Sequence, residues 1–403
     1  MFASRLDESY SDEVREAIGP LTAAKVGANA TFRFAAPFIA TIASGLDVGI
    51  STIGKAIAVG EIVGLSAPLL ARLTNHLSRR TAICGGLLAI AASATVCATS
   101  RGAVQFGLGL ALLSMSKIVF DLGIIAWLTD RVPYALLGRP MGLMETAWAA
   151  GLFIGVVAMG LVTGATSWRW GYASAIVAVV VLASLLRHWL PARERPIRPL
   201  RSTHDDRQRR RPRLGAGWWV VVGSMGLTAA AQSMFVTFGK WLGDDFGVTD
   251  TELAVLVFGL GAVELLAASS TVRFTDRWGK QRSTMFGALA MIPAALVLAT
   301  ANGSMVIGVL ALAVFIGTFE FAIVSTLSLA SSLIPTQPTV GIGLNVGAST
   351  LGRAVMAPIA TTAFSRYGMW APATISAGCA ALTATCQIRY GTVRGRAVLR
   401  PAH

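Results

Sequence analysis

Charge is scarce in this chain. Asp, Glu, Lys and Arg make up 13% of its 403 residues, where a soluble globular domain carries about 25%. Such a chain cannot coat a globular surface with polar groups, and lipid is the expected solvent. Negative charge is scarcer than positive, with 20 acidic residues against 34 basic ones and a net charge of +14. Histidine and cysteine are rare, at four each. Cys84, Cys97, Cys379 and Cys386 lie in apolar runs without C-x-x-C or metal spacing, which makes them small buried hydrophobes. His76, His188, His204 and His403 form no cluster, and no G-x-x-x-x-G-K-[ST] loop is present. ATP-driven transport, metal catalysis and a nucleophile–base enzyme therefore have no sequence support, and no cofactor is expected. The first 25 residues hold no apolar stretch of signal type.

Hydrophobic residues fill the gap, at 54% of the chain, with 42 glycines and a mean hydropathy of +0.64. Apolar runs long enough to cross a bilayer fall at 26–46, 50–71, 82–100, 103–128, 141–164, 171–190, 217–241, 251–272, 283–301, 304–334, 339–363 and 369–388. At 1.5 Å per residue, about 20 residues cross the hydrocarbon, so twelve transmembrane helices are expected. The basic residues sit in the short loops between these runs and are not interleaved with exposed aromatics, which argues against nucleic acid as a partner.

The loops differ in charge. Loop 2–3 carries Arg72, Arg79 and Arg80, loop 4–5 Arg131 and Arg139, and loop 8–9 Arg273, Arg277, Lys280 and Arg282. The stretch from 191 to 216 is rich in arginine and proline, and Arg389, Arg394, Arg396 and Arg400 follow the last run. The opposite loops hold Arg101, Arg169, Lys240 and Arg366. The positive-inside rule then predicts an inner (plasma) membrane protein with both termini cytoplasmic. The expected parts are a cytoplasmic segment 1–25, a six-helix bundle 26–190, a flexible linker 191–216, a second bundle 217–388 and a cytoplasmic tail 389–403. A monomer is expected.

The two halves are related. An offset of 201 residues aligns Ala71 with Val272, Arg72 with Arg273, Thr74 with Thr275, Asn75 with Asp276 and Arg79 with Lys280. The same offset aligns Gly142-Leu143 with Gly343-Leu344 and Gly151 with Gly352. Duplicated halves of this kind are a transporter arrangement.

The segment Asp276-Arg277-Trp278-Gly279-Lys280-Gln281-Arg282 resembles the signature loop of the major facilitator superfamily, G-x-L-a-D-r-x-G-r-k, and lies between the eighth and ninth runs. The copy between the second and third runs is degraded, with Ala71, Asn75 and Ser78 in place of Gly, Asp and Gly. Asp130-Arg131-Val132-Pro133-Tyr134 with Gly138-Arg139 is similar to the loop 4–5 pattern of many exporters, and Trp168-Arg169-Trp170 to a Trp-Arg pair common after the fifth span. Gly151, Gly155 and Gly160 partly match the antiporter signature G-x-x-x-G-P-x-x-G-G, with Val156 in place of Pro, and also suit close helix packing. The resemblance implies an all-α membrane protein of two pseudo-symmetric six-helix bundles. It also implies a conformational latch built from Arg72, Asn75, Arg79, Asp276, Arg277, Gly279 and Lys280, stronger at Asp276 than at Asn75.

Ionisable groups inside a span are costly and mark function by default. They are Arg33, Lys55, Glu61, Lys117, Asp121, Glu145, Glu264, Glu320 and Arg353, all on spans that the resemblance places around a central cavity. Lys117 and Asp121 are four residues apart and share a helix face, and Glu145 lies at similar depth on the next span. Asp121, Glu145, Glu320, Glu264 and Glu61 are the candidate proton carriers. Arg33, Lys117, Arg353, Trp148, Phe38 and Phe235 are the candidates for substrate contact or charge balance. Arg33 could hold an anionic group or neutralise Asp121, and Glu320 could pair with Arg353. The expected activity is proton-coupled export of a small organic solute, a drug or metabolite, by alternating access. The rivals are a proton-coupled uptake symporter and, from another class, a membrane sensor or scaffold that transports nothing.

Overall fold

The computed structural model describes residues 10–398 apart from 75, 134–135, 137, 191–214, 331–332 and 334–337. The described residues form helices and short connections, with no strand. In lipid every backbone polar group must be satisfied within its own segment, which the helix does.

Helices correspond to each of the twelve apolar runs. Span 1 is a helix Asp12–Arg33 followed by Ile39–Gly45. It starts well before residue 26, so the polar segment expected to precede the bundle is partly a continuation of the helix. Span 2 is Ile50–Gly64 and Ala67–Thr74, span 3 Arg79–Ala98 and span 4 Ala103–Arg131. Span 5 runs through Gly138–Ala150, a π-helical turn Gly151–Val156 and Val157–Ala165, and span 6 is Trp168–Trp189. Span 7 is Gly217–Phe235 with Phe238–Phe246, span 8 Asp250–Trp278 and span 9 Lys280–Thr300. Span 10 is Met305–Ala330, span 11 Pro338–Tyr367 and span 12 Trp370–Val398, which carries its helix past residue 388. Among the described residues eight helices are by themselves long and apolar enough to cross a membrane. In span 1 the helix Asp12–Arg33 is rich in polar and charged residues, span 2 is broken into two shorter helices, and spans 11 and 12 are diluted by polar residues.

The breaks have local causes. Pro37 has no N–H to continue the helix that ends at Arg33. In span 7 the Thr237 hydroxyl donates to the Ser233 carbonyl at 2.7 Å, offering that carbonyl a partner where the helix is interrupted. Between spans 8 and 9 the chain turns at Gly279, whose φ of +84° is a region that glycine enters without strain.

The chain divides into two compact units. The first holds Met1–Gly49, Ile62–His204 and Thr249–Gly261. Within it the start of span 8 packs on span 5: Phe153 stacks on Phe258 at 4.2 Å, and a Cβ on Gly261 would lie 2.7 Å from the Phe153 backbone. An aromatic core of Phe34, Phe38, Phe106, Trp168 and Tyr172 fills this unit. The second unit holds Ile50–Glu61, Asp205–Val248 and Ala262–His403. There the start of span 2 packs on span 11, with Gly54 against Thr361 and Ala357. Its core holds Phe238, Trp241 and Phe315, and small hydroxyls tie its helices together. Ser224 donates to Asn345 Oδ1, Thr228 to the Ser349 carbonyl at 2.8 Å, and Thr383 to the Gly223 carbonyl at 3.0 Å.

Candidate functional site

Spans 1, 4 and 5 bring a charged cluster together in the first unit. Lys117 and Asp121 stand one turn apart on span 4, and the Lys117 ammonium donates to Asp121 Oδ2 at 2.6 Å. Their side chains keep 13% and 26% of their surface exposed. The ammonium lies 5.8 Å from the Phe32 ring and 5.7 Å from the Trp148 ring. The Arg33 guanidinium sits 4.7 Å from the same Trp148 ring and donates to the Trp148 carbonyl at 3.0 Å. Phe32, Arg33, Lys117, Asp121 and Trp148 are all half-buried. The other oxygen of the carboxylate, Asp121 Oδ1, is buried and accepts no hydrogen bond from a described residue.

Local sequence explains how the helices come this close. A Cβ on Gly151 would lie 2.8 Å from the Asn29 Cβ, and one on Gly155 would meet Ala30. Asn29 then donates from Nδ2 to the Ala147 carbonyl at 3.0 Å. The glycine run that partly matches an antiporter signature thus seats span 5 on span 1. Its last member, Gly160, packs on Phe38 and Ala254. The π turn begins just after Ala150 and lies beside Trp148; such turns recur at functional positions.

The second unit holds a different ion pair. Arg353 donates to Glu61 Oε2 from Nε at 3.1 Å, and its Nη2 lies 3.0 Å from the same oxygen. Glu61 is only 8% exposed and Arg353 33%, and Arg353 also donates to the Thr350 hydroxyl at 3.3 Å. The expected pairing of Arg353 with Glu320 overlooked this partner, which arrives on a segment 292 residues away. Glu264 and Glu320 are both buried. Phe235 packs edge-on against Phe319 at 6.0 Å.

One substrate candidate is corrected. Phe38 is wholly buried, stacked on Phe34 at 4.8 Å and seated in the space left by Gly160. It belongs to the core, because a ring buried on every side has no face left for a ligand.

The latch candidates separate. Arg79 donates from Nε to Asp130 Oδ2 at 2.8 Å, beside a small cavity of about 260 Å³ lined by Thr74, Arg79, Leu122 and Thr129 among others. Arg131 donates to Glu13 at 2.8 Å and lies 4.5 Å from the Trp127 ring. Gly279 makes the tight turn, and Arg277 and Lys280 are exposed. Asn75 and the side chains of Arg72, Asp276 and Glu145 lie outside the described residues. Sequence reasoning missed Phe32 and Asn29. Their signal was available at spacings of one and four from Arg33, but an apolar ring and a small amide on a span look like ordinary packing residues.

A family model for the Major Facilitator Superfamily matches residues 22–357. A relative from Bacillus subtilis (strain 168), an uncharacterized MFS-type transporter named YwfA, is 26% identical over 362 residues, covering 86% of this chain and 84% of that one. Among solved structures, a bacterial homolog of the human lysosomal transporter Spinster, in an inward-facing and occupied conformation, aligns with a TM-score of 0.73 at 14% identity, covering 96% and 98% of the two chains. The xylose transporter XylE from E. coli aligns at 0.71 and 12% identity, covering 92% and 95%.

Proposed function

From its membership of the major facilitator superfamily, to which the chain belongs, and from the cluster on spans 1, 4 and 5, we propose that it is a proton-coupled exporter of a small organic solute. Membership makes it a multi-pass membrane transporter of twelve helices in two six-helix bundles. The finer reading rests on one observation, the half-buried Lys117–Asp121 pair. A carboxylate held, among the described residues, by a lysine one turn away, with its other oxygen buried, has two competing ways to lose its charge cost. It can keep the lysine or take a proton. In the proposed cycle, Asp121 takes a proton from outside, releases Lys117 and biases the carrier toward one orientation, and it returns the proton to the cytoplasm in the other. The excess of Lys and Arg in alternate loops supports cytoplasmic termini in the inner membrane. The loop at Asp276 to Lys280 then serves as the cytoplasmic latch, with the Arg79–Asp130 pair as its counterpart in the first half.

Proteoliposomes with an imposed pH gradient test the assignment. Asp121→Asn is expected to abolish gradient-driven flux while the protein keeps its thermal unfolding midpoint within a few degrees. Full flux in that variant removes Asp121 from the mechanism. Direction is tested in cells, where a proton uncoupler is expected to raise solute retention. Solute accumulation that the uncoupler abolishes identifies an uptake carrier instead.

A further inference from the structure

The cavity of about 260 Å³ beside Arg79 lies apart from the Lys117–Asp121 cluster, and its walls are of two kinds. Leu122, Ile125 and Ala126 of span 4 make an apolar side, while Arg79 and Thr129 are polar. The space exceeds what a single water fills. Arg79 keeps 20% of its side chain exposed. A guanidinium has five N–H donors. Among the described residues Asp130 is its hydrogen-bond partner, reached through Nε at 2.8 Å, which leaves the donors of both Nη groups for another acceptor.

The apolar wall continues a stripe along span 4. Val104, Leu108, Leu112 and Met115 are exposed at spacings of three and four, which is one face of a helix. The same spacing leads through Val119, Leu122 and Ala126 to Thr129. Phe106, Leu113, Phe120 and Trp127, on the opposite side of the helix, are buried, so the stripe is turned away from the bundle and toward lipid. From Val104 to Ala126 the helix rises about 33 Å, close to the roughly 30 Å of hydrocarbon in a bilayer. Thr129 and Arg79 therefore come at the level where acyl chains end and headgroups begin. By the positive-inside rule this is the cytoplasmic leaflet.

We propose that the cavity holds a phospholipid of that leaflet, with its phosphate on the Arg79 guanidinium and the start of an acyl chain along Leu122 and Ala126. Phosphate oxygens match the planar fork of arginine. A free phosphate would leave the apolar wall uncovered, and an acyl chain alone would leave the Nη donors without an acceptor. Asp130 orients the fork by holding Nε and also offsets its charge. The phosphate is then held by directed hydrogen bonds, and other basic residues nearby cannot substitute for this one. The lipid site does not depend on the exporter reading. Arg79 also belongs to the pair proposed above as the first-half latch, so membrane composition reaches that latch through one side chain.

The purified full chain in mild detergent is titrated with dioctanoyl phosphatidylglycerol, with affinity read from the shift of the unfolding midpoint and bound lipid counted by native mass spectrometry. Dioctanoylglycerol, with the same tails and no phosphate, and inorganic phosphate are the comparison probes. The wild-type protein is expected to bind the phospholipid at least about tenfold more tightly than either, the factor that one hydrogen bond to a charged group supplies. Arg79→Gln is expected to remove that difference. Ala126→Phe fills the cavity with Arg79 in place and is expected to weaken the phospholipid by about tenfold as well. Arg80→Gln removes the same charge from the next residue, whose guanidinium donates to the Arg187 carbonyl at 2.6 Å; it is expected to change affinity less than about twofold. Equal losses in Arg79→Gln and Arg80→Gln overturn the proposal in favour of diffuse attraction to basic residues. Inorganic phosphate that binds as tightly as the lipid makes this a free-anion site, and dioctanoylglycerol that does so makes it an apolar groove; either result overturns the proposal. So does unchanged affinity in Arg79→Gln or in Ala126→Phe. If Arg79→Gln does not fold, Ala126→Phe against Arg80→Gln decides. A flux defect in Arg79→Gln does not enter the test, because binding is read without transport.

Discussion

Span 3 begins at Arg79 and span 9 at Lys280, 201 residues later, while the break in span 1 follows Arg33 and that in span 7 follows Phe235, 202 residues later. The charges do not follow this plan. At the places offset by 201 residues from Arg33, Glu61, Lys117 and Asp121 stand Met234, Ala262, Thr318 and Ala322. Those of Glu264, Glu320 and Arg353 hold Val63, Val119 and Leu152. Backbone cues survive duplication because every copy must insert and pack. A charge inside a span is retained only where one copy uses it. The repeat carries the scaffold, and the departures from it carry the chemistry.

Equivalent positions in the two halves are solved in different ways. The largest effect is expected at the helix crossings. In one unit the small residue is Gly54 of span 2, against Thr361; in the other it is Gly160 of span 5, the residue offset by 201 from Thr361, against Ala254. A Cβ on Gly54 would lie 3.0 Å from the Ala357 carbonyl, and one on Gly160 would lie 2.8 Å from the Ala254 Cβ. Gly54→Leu and Gly160→Leu should each destabilise by about 3 kcal/mol, read as the unfolding midpoint in mild detergent. A loss under about 1 kcal/mol at one site alone would show that the two crossings are not built alike.

The ion pairs come next. Arg353→Met leaves Glu61 nearly buried without its partner and should cost about 2 kcal/mol, less than for a fully buried pair because Arg353 is one-third exposed. The double variant Glu61→Gln with Arg353→Met should recover part of that loss. Strict additivity in the double-mutant cycle would mean that the pair is not coupled.

The smallest effect concerns one loop position. Ser78 caps span 3, its hydroxyl accepting from the Thr81 N–H at 3.1 Å. The residue offset by 201 is Gly279, which precedes span 9 at φ +84°. Ser78→Ala should cost about 1 kcal/mol through the lost cap, and Gly279→Ala about 1 kcal/mol through backbone strain. Both are measured as shifts of the same unfolding midpoint. Ser78→Gly should cost only a few tenths of a kcal/mol; a full kcal/mol there would mean that the serine does more than cap.

Much of the scaffold was legible in the chain. Apolar length marked the spans, and the spacing of four predicted the Lys117–Asp121 pair. The site was legible only in part. Phe38 and Phe235 look alike in sequence, both being aromatic residues on spans expected to line a cavity, yet Phe38 is wholly enclosed and Phe235 is half-buried. The partner of Arg353 was not legible, because nothing along the chain selects Glu61 over Glu320.

The sequence by itself determined the lipid environment, the number of spans, the kinship of the halves and the pairing of groups one helical turn apart. Each of these is a local property, set by transfer of a segment into hydrocarbon or by the period of a single helix. The tertiary structure decided that Arg33 and Lys117 share one Trp148 ring, that Arg353 meets Glu61, and that Asp121 keeps an oxygen buried with no donor among the described residues. These depend on how closely different helices approach and how they are rotated, which glycines and bulk on several spans set jointly and no single stretch encodes.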